Sequence, residues 1–290
     1  MTAKDLRLKI GGVIISLVPG DDDAFHIIKV FESFRCEDEP GEPEIQLRVH
    51  VEPVPTIPTD ELLFDSGGVW RLYRSQGRWA VYLRSAVPGS EPYQLAVLEP
   101  DGLAGDIYIR PDHQQYLFPL AYPLGEVLMI NVLGRGYGVL LHACGVRDGE
   151  KGLIFAGTSG AGKSTSGGLW HGQAGVTVLS DDRVIVRKQE GRFWVHGTPF
   201  HGNAWLASPQ AAPLERIFIL RHATENQAIP LNPADAAARL LVRAFPPYWD
   251  AEAMAFTLQL LGEIAQTVPC YELGFVPDQS VVDFVRAELS

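Results

Sequence analysis

Gly157-Thr-Ser-Gly-Ala-Gly-Lys-Ser-Thr165 fits the pattern G-x-x-x-x-G-K-[ST]. Roughly one random chain of this length in a hundred would contain it by chance. Its surroundings make it more specific. The loop is entered from an apolar run, Leu153-Ile154-Phe155-Ala156, that reads as a buried strand, and it leads into a short helix ending at Trp170 or His171. Glycines allow positive φ and turn backbone N–H groups inward, and the helix start adds further donors for anionic oxygens. Gly157, Thr158, Ser159, Gly160, Ala161, Gly162, Lys163, Ser164 and Thr165 are therefore the candidate nucleotide-binding residues. In such a loop the lysine, here Lys163, reaches the β- and γ-phosphates, and the hydroxyl of Ser164 is offered to Mg²⁺. ATP with Mg²⁺ is the expected ligand pair.

Working outward, Asp181-Asp182 ends the next apolar strand, Val176–Leu179, eighteen residues after Lys163. Consecutive residues of a strand face opposite sides, so one acid is placed for a metal and the other for an acceptor. His142 lies on the strand Gly138–Ala143 that precedes the loop strand. The run His196-Gly-Thr-Pro-Phe-His-Gly202 is a loop with two open readings, the wall of an acceptor pocket or a tight structural turn. Arg183, Arg216 and Arg221 have two readings, phosphate contacts or, by default, surface residues, while His171 and His222 read as surface residues.

The remaining elements follow from period and punctuation. A helix over Leu124–Leu133 stops at Gly134 and Gly136. Val184–Arg187 and Phe193–His196 form a hairpin closed at Glu190-Gly191, and Ile217–Leu220 is a further apolar strand. Asn232 caps a helix that opens with Pro233 and is closed by Pro246-Pro247. Ala251–Thr267 is amphipathic, and a last helix begins near Asp278. Residues 1–112 read as a β-rich region: Ile45, Leu47 and Val49 alternate with polar residues, and Val69–Tyr73 and Trp79–Leu83 flank a turn at Ser75-Gln76-Gly77. The expected division is 1–112 and 113–290, an α/β chain with a mixed sheet around the phosphate loop.

Composition excludes some classes. A net charge of −11 disfavours a general nucleic-acid partner. The acidic runs Asp21–Asp23 and Glu37–Glu44 read as solvated loops. No segment has the roughly 18 uninterrupted apolar residues of a membrane span, and the N-terminus lacks a signal-peptide core. Cys36, Cys144 and Cys270 are scattered without a CxxC, which points to buried thiols in a reducing compartment. A cytoplasmic protein is expected.

From His142 to Val195 the sequence resembles the HPr kinase/phosphorylase family, whose core is related to ATP-dependent phosphoenolpyruvate carboxykinases. Three features carry this: His142 fifteen residues before Gly157, the loop G-T-S-G-A-G-K-S, and the pair in Leu179-Ser-Asp-Asp182. The Thr198-Pro199 loop and the closing Pro-Cys-Tyr-Glu-Leu-Gly-Phe-Val-Pro-Asp278 run look like the broader set of HPr-kinase-related bacterial proteins, which includes peptide-tailoring kinases of ribosomal-peptide clusters. The resemblance implies a P-loop kinase core and transfer of the γ-phosphate of ATP to a serine hydroxyl. It implies Asp182 as acceptor of the hydroxyl proton, Asp181 with Ser164 at the metal, the two acids being interchangeable, and His142 beside them. Thr165 stands where HPr kinases carry glutamate, and their glycine- and arginine-rich C-terminal signature is missing. These departures argue against HPr itself as acceptor and against the reverse phosphorolysis. Expected partners are a small protein or peptide and, as in related kinases, a second copy of the chain. A nucleotide-dependent switch without transfer and a small-metabolite kinase stay open as rivals.

Overall fold

The computed structural model describes residues 5–20, 26–37, 39–85, 87, 89–113, 118–158 and 160–288. Ser159 and the acidic run Asp21–Asp23 lie outside the described residues. The chain is mixed α/β with two large mixed sheets, in two units: Met1–Val132 with Tyr248–Asp250, and Leu133–Pro247 with Ala251–Ser290.

The first unit carries strands β1 (Leu6–Ile10), β2 (Val13–Pro19), β3 (Ile45–Val51), β4 (Glu61–Asp65), β5 (Trp70–Ser75), β6 (Arg78–Arg84), β7 (Pro92–Leu98) and β8 (Ala104–Ile109). They form one sheet in the order β1-β2-β3-β8-β7-β6-β5-β4. The β5–β6 hairpin turns on Gln76 at φ +49° and Gly77 at φ +80°. Two consecutive left-handed residues give the turn a twist that matches the flanking strands. Helices α1 (Lys29–Glu32) and α2 (Leu124–Val132) belong to this unit.

The second unit holds β9 (Val139–Asp148), β10 (Lys151–Ala156), α3 (Lys163–Trp170), β11 (Val176–Ser180), β12 (Arg183–Gln189), β13 (Arg192–His196), β14 (Ala211–His222), β15 (Gln227–Pro230), α4 (Pro233–Leu241), α5 (Ala251–Thr267), β16 (Cys270–Phe275) and α6 (Ser280–Glu288). β10 pairs antiparallel with β9 on one side and parallel with β14 on the other. β14 continues parallel to β16, with β15 antiparallel beyond it. The long strands β9 and β14 each change partner midway. The first half of β9 pairs with β12 and the second half with β10 and β11, while the first residues of β14 pair with β13.

The apolar run of β10 is explained by its two covered faces. Ile154 and Ala156 pack in a core with Ala236 and Leu240 of α4 and Leu260, Leu261 and Ile264 of α5. Leu153 and Phe155, pointing the other way by the period of two, pack with Trp170 of α3 and Val281, Val282 and Val285 of α6.

Three expectations need correction. The strand read as Gly138–Ala143 runs to Asp148, and the one read as Ile217–Leu220 spans Ala211–His222, because each extends through a change of partner. Helix α4, with Asn232 Oδ1 accepting the Asp235 N–H at 2.9 Å, ends at Leu241 well before Pro246-Pro247. The chain leaves the helix there to lie along β9: the His142 N–H donates to Arg243 O at 2.7 Å and the Phe245 N–H to Leu140 O at 3.0 Å. The strand β16 inside the closing run was not anticipated.

Trp170 is the largest fully buried side chain of the α3–α6 face, with its ring centroid 5.8 Å from that of Phe155 and the Arg286 guanidinium 5.4 Å above it. Trp170→Ala is expected to lower the unfolding free energy by about 3–5 kcal/mol. The midpoint of urea denaturation reads this. A change below about 1 kcal/mol would show that this face does not depend on the indole.

Candidate functional site

The loop between β10 and α3 is shaped by contacts beneath it. Gly162 sits at φ +104°, and a Cβ there would meet the Phe275 ring at 2.5 Å. Phe275, at the end of β16, thus props the loop from below and excludes any side chain at that position. Helix α3 starts after Gly162 without a capping side chain. Its first turn therefore leaves the amides of Lys163, Ser164 and Thr165 without an intrahelical acceptor. Lys163 is only 6% exposed, and its ammonium donates to Gly157 O and Thr158 O at 3.0 Å each. Burial holds its pKa below the usual lysine value, partly opposed by the Asp182 charge, with Arg183 and Arg243 lowering it further.

Strand register brings the other groups to the loop. Ala156, the last residue before it, lies across from Ala143 on β9, and His142 lies across from Arg183 on β12. His142 Nε2–H donates to Asp182 Oδ1 at 2.9 Å, and the Arg183 guanidinium pairs with Oδ2 while lying 4.5 Å over the Phe245 ring. Burial pushes the Asp182 pKa up, but the His142 hydrogen bond and the Arg183, His142 and Lys163 charges outweigh it, and the carboxyl is held below its ordinary value.

Asp181 behaves differently. It has no exposed surface, and its two carboxylate oxygens accept the Gly202 N–H and the Ala204 N–H, each at 2.9 Å. The alternation of the two acids across the chain is therefore present, with Asp182 on the cavity side. The run His196–Gly202 wraps this pair. The Thr198 hydroxyl donates to Arg183 O at 2.7 Å, and a Cβ on Gly197 would fall 1.9 Å from Ser208 O.

The result is a cavity of about 450 Å³ whose wall includes His142, Gly160, Gly162, Lys163, Ser164, Thr165, Asp182, Gly202 and Asn203. His142, Lys163, Ser164 and Asp182 thus come together. Gly157, Thr158 and Ala161 form the loop behind the wall, and Asp181 lies beneath it. A larger cavity, about 640 Å³, lies in the first unit against Pro53–Thr56. Its charged groups, Glu91, Arg110 and Asp112, are already paired with one another, so it offers no unclaimed charge.

Two neighbours of the site escaped the sequence. His222 is exposed, as a surface residue is expected to be, and from there its Nε2–H donates to Gly160 O at 2.9 Å and its ring stacks on Phe275 with centroids 6.2 Å apart. Arg243, in the segment along β9, is close enough to depress the Lys163 pKa. Neither carries a motif. Only the β14–β16 register, His222 opposite Phe275, and the pairing of residues 243–245 with β9 would have found them.

Comparison with known proteins gives one family. The model of the SynChlorMet cassette protein ScmC matches residues 124–276. No curated protein matches the sequence. The HPr(Ser) kinase/phosphatase from Coxiella burnetii aligns over 52% of this chain and 92% of its own at 10% identity, but with a TM-score of 0.30, too slight a likeness to carry an argument. The ScmC match spans more than half of the 290 residues and includes His142, the Gly157–Thr165 loop and the acid pair, and the chain belongs to the ScmC family of SynChlorMet cassette proteins.

Proposed function

We propose that this protein is an ATP-dependent phosphotransferase with a P-loop core, which moves the γ-phosphate to the hydroxyl of a serine or threonine in a small protein or peptide. One observation carries the reading: the loop lysine Lys163 and the His142–Asp182 pair open onto the same cavity. A polyphosphate site and a hydroxyl-orienting carboxylate in one wall are what phosphoryl transfer requires.

The residues suit the ligand. The amides at the start of α3 are unclaimed by a cap, and Lys163 rests on two carbonyls it can exchange for phosphate oxygens. Ser164 is exposed at the helix start, and on this reading its hydroxyl would hold Mg²⁺. That ion would supply charge neutralisation at the β- and γ-oxygens. Asp182 accepts the proton of the acceptor hydroxyl as its oxygen attacks the γ-phosphorus and the bond to the β-phosphate oxygen breaks. A carboxylate of lowered pKa is a weak base. The loose transition state of phosphoryl transfer asks mainly that the nucleophile be oriented, and the bonds from His142 and Arg183 fix that carboxylate in place. Asp181 is better assigned to positioning than to the metal, since both of its oxygens are engaged by amides away from solvent.

Lys163→Ala is expected to weaken ATP binding about 10- to 100-fold, the worth of charge-assisted hydrogen bonds, by calorimetric titration. Asp182→Asn should keep nucleotide affinity within a few-fold while transfer of labelled phosphate from ATP to serine peptides or lysate proteins falls about 10²- to 10⁴-fold. Equal labelling by wild type and both variants would remove the kinase reading. Tight binding with no transfer by any of them would favour a nucleotide switch.

The pH dependence has a definite sign. His142 helps to keep Asp182 ionised, and on the proposed reading the ionised form is the one that takes the hydroxyl proton. Removing the imidazole raises the Asp182 pKa, so the base becomes protonated at higher pH. His142→Ala is expected to shift the acidic limb of kcat/KM to higher pH than in wild type. An unmoved limb would show that Asp182 is not the titrating base.

A further inference from the structure

Trp205 keeps 74% of its surface exposed, and its backbone sits at φ +57°, a region that bulky residues seldom enter. A strained backbone that displays an indole to solvent stabilises nothing by itself, and such strain gathers at functional positions. The turn that holds it is nevertheless firmly built. Asp181 fixes the Gly202 and Ala204 amides from beneath, and the Trp205 N–H donates to Gly202 O at 3.3 Å to close the turn. His201 stands beside the indole, with ring centroids 4.2 Å apart at 31°. Its Nδ1–H donates to Gly202 O at 2.8 Å, which fixes the tautomer and the ring. Gly202 abuts the reacting centre: a Cβ on it would lie 3.1 Å from that of Asp182.

We propose that His201 and Trp205 form the acceptor-docking platform, which receives an aromatic or branched aliphatic side chain of a peptide next to the hydroxyl residue that takes the phosphate. The proposal rests on the phosphotransferase reading and names its substrate class. Neither ring is part of the cavity wall, so a ligand that reaches them must extend beyond the cavity, as a peptide does. The tilted ring pair offers faces and edges that suit an apolar or aromatic partner. The segment 202–204 that carries the platform is clamped to Asp181, next to Asp182. A side chain seated on the rings would therefore set its neighbour's hydroxyl at Asp182 rather than merely raise local concentration.

The test uses the full chain, labelled MgATP and degenerate peptide pools, each with one serine and one adjacent position fixed as Phe, Leu, Lys, Asp or Ala. Wild type is expected to label the Phe and Leu pools at least fivefold above the Ala pool. Trp205→Ala should bring that ratio close to one by raising KM and lowering kcat for the Phe pool while the Ala pool changes little, and Trp205→Phe should restore most of the preference. A flat wild-type profile, a preference for Lys or Asp, or a preference that survives Trp205→Ala would overturn the proposal. Nucleotide binding that depends on Lys163, with no pool labelled and ADP released only with a small hydroxylated metabolite, would overturn the platform and leave phosphotransfer standing. Failure of wild type to bind ATP would remove the phosphotransferase reading itself.

Discussion

The arrangement of the site depends on a carboxylate sealed from solvent. A carboxyl group with no exposed surface is unfavourable without hydrogen-bond donors, and Asp181 has two, the amides of Gly202 and Ala204. Those amides lie more than twenty residues further along the chain, so the bond pair is a long-range tether rather than a local turn. It forces the 202–204 segment against the end of β11, where only glycine fits at position 202. Removing the carboxylate would leave two amides unclaimed and release the loop. Asp181 thus shapes the wall without belonging to it, while its neighbour Asp182 faces the cavity.

A second constraint is the sharing of strands. β9 and β14 each take part in two sets of pairings, and β10 is held between them. The ends of three strands and the point where β9 changes partner consequently gather at one place. β10 delivers the glycine-rich loop, β9 delivers His142, β14 ends in His222 and β16 ends in Phe275 under Gly162. With apolar cores on both faces of β10, the loop stands on a support that cannot shift without disturbing both.

What could be read in the sequence was local. The strand Leu153–Ala156 is apolar because both faces are covered, and a short uninterrupted apolar run before a glycine-rich loop states that directly. Helix α5 runs over Ala251–Thr267 as its period indicated, and the β5–β6 turn falls at Gln76-Gly77. What could not be read depends on pairing. β14 looks four residues long because Glu215 and Arg216 interrupt its apolar run and Pro213 argues against a strand, although Ala211–Pro213 pairs with β13. β16 mixes Tyr271 and Glu272 with apolar residues and carries no clean period. Proline marked the wrong end for α4, since the chain left the helix to satisfy the backbone of β9. The spacing of Asp181 and Asp182 showed that they part company but not which one meets the cavity. His222 and Arg243 reach the loop by register alone.

The chain's acidity sharpens the electrostatics of the cavity rather than opposing it. With a net charge of −11, the positive groups near an anion must be concentrated, and Lys163, Arg183 and Arg243 are close enough to one another that the two arginines depress the lysine's pKa. Arg243 Nε is buried without a hydrogen-bond partner among the described residues. Burial is the larger cause of the lowered Lys163 pKa, and the Asp182 charge, which also pairs with Arg183, opposes it. On the proposed reading a polyphosphate adds anionic acceptors beside Lys163, whose burial then costs less, and the fold has gathered the cations to meet it before it enters.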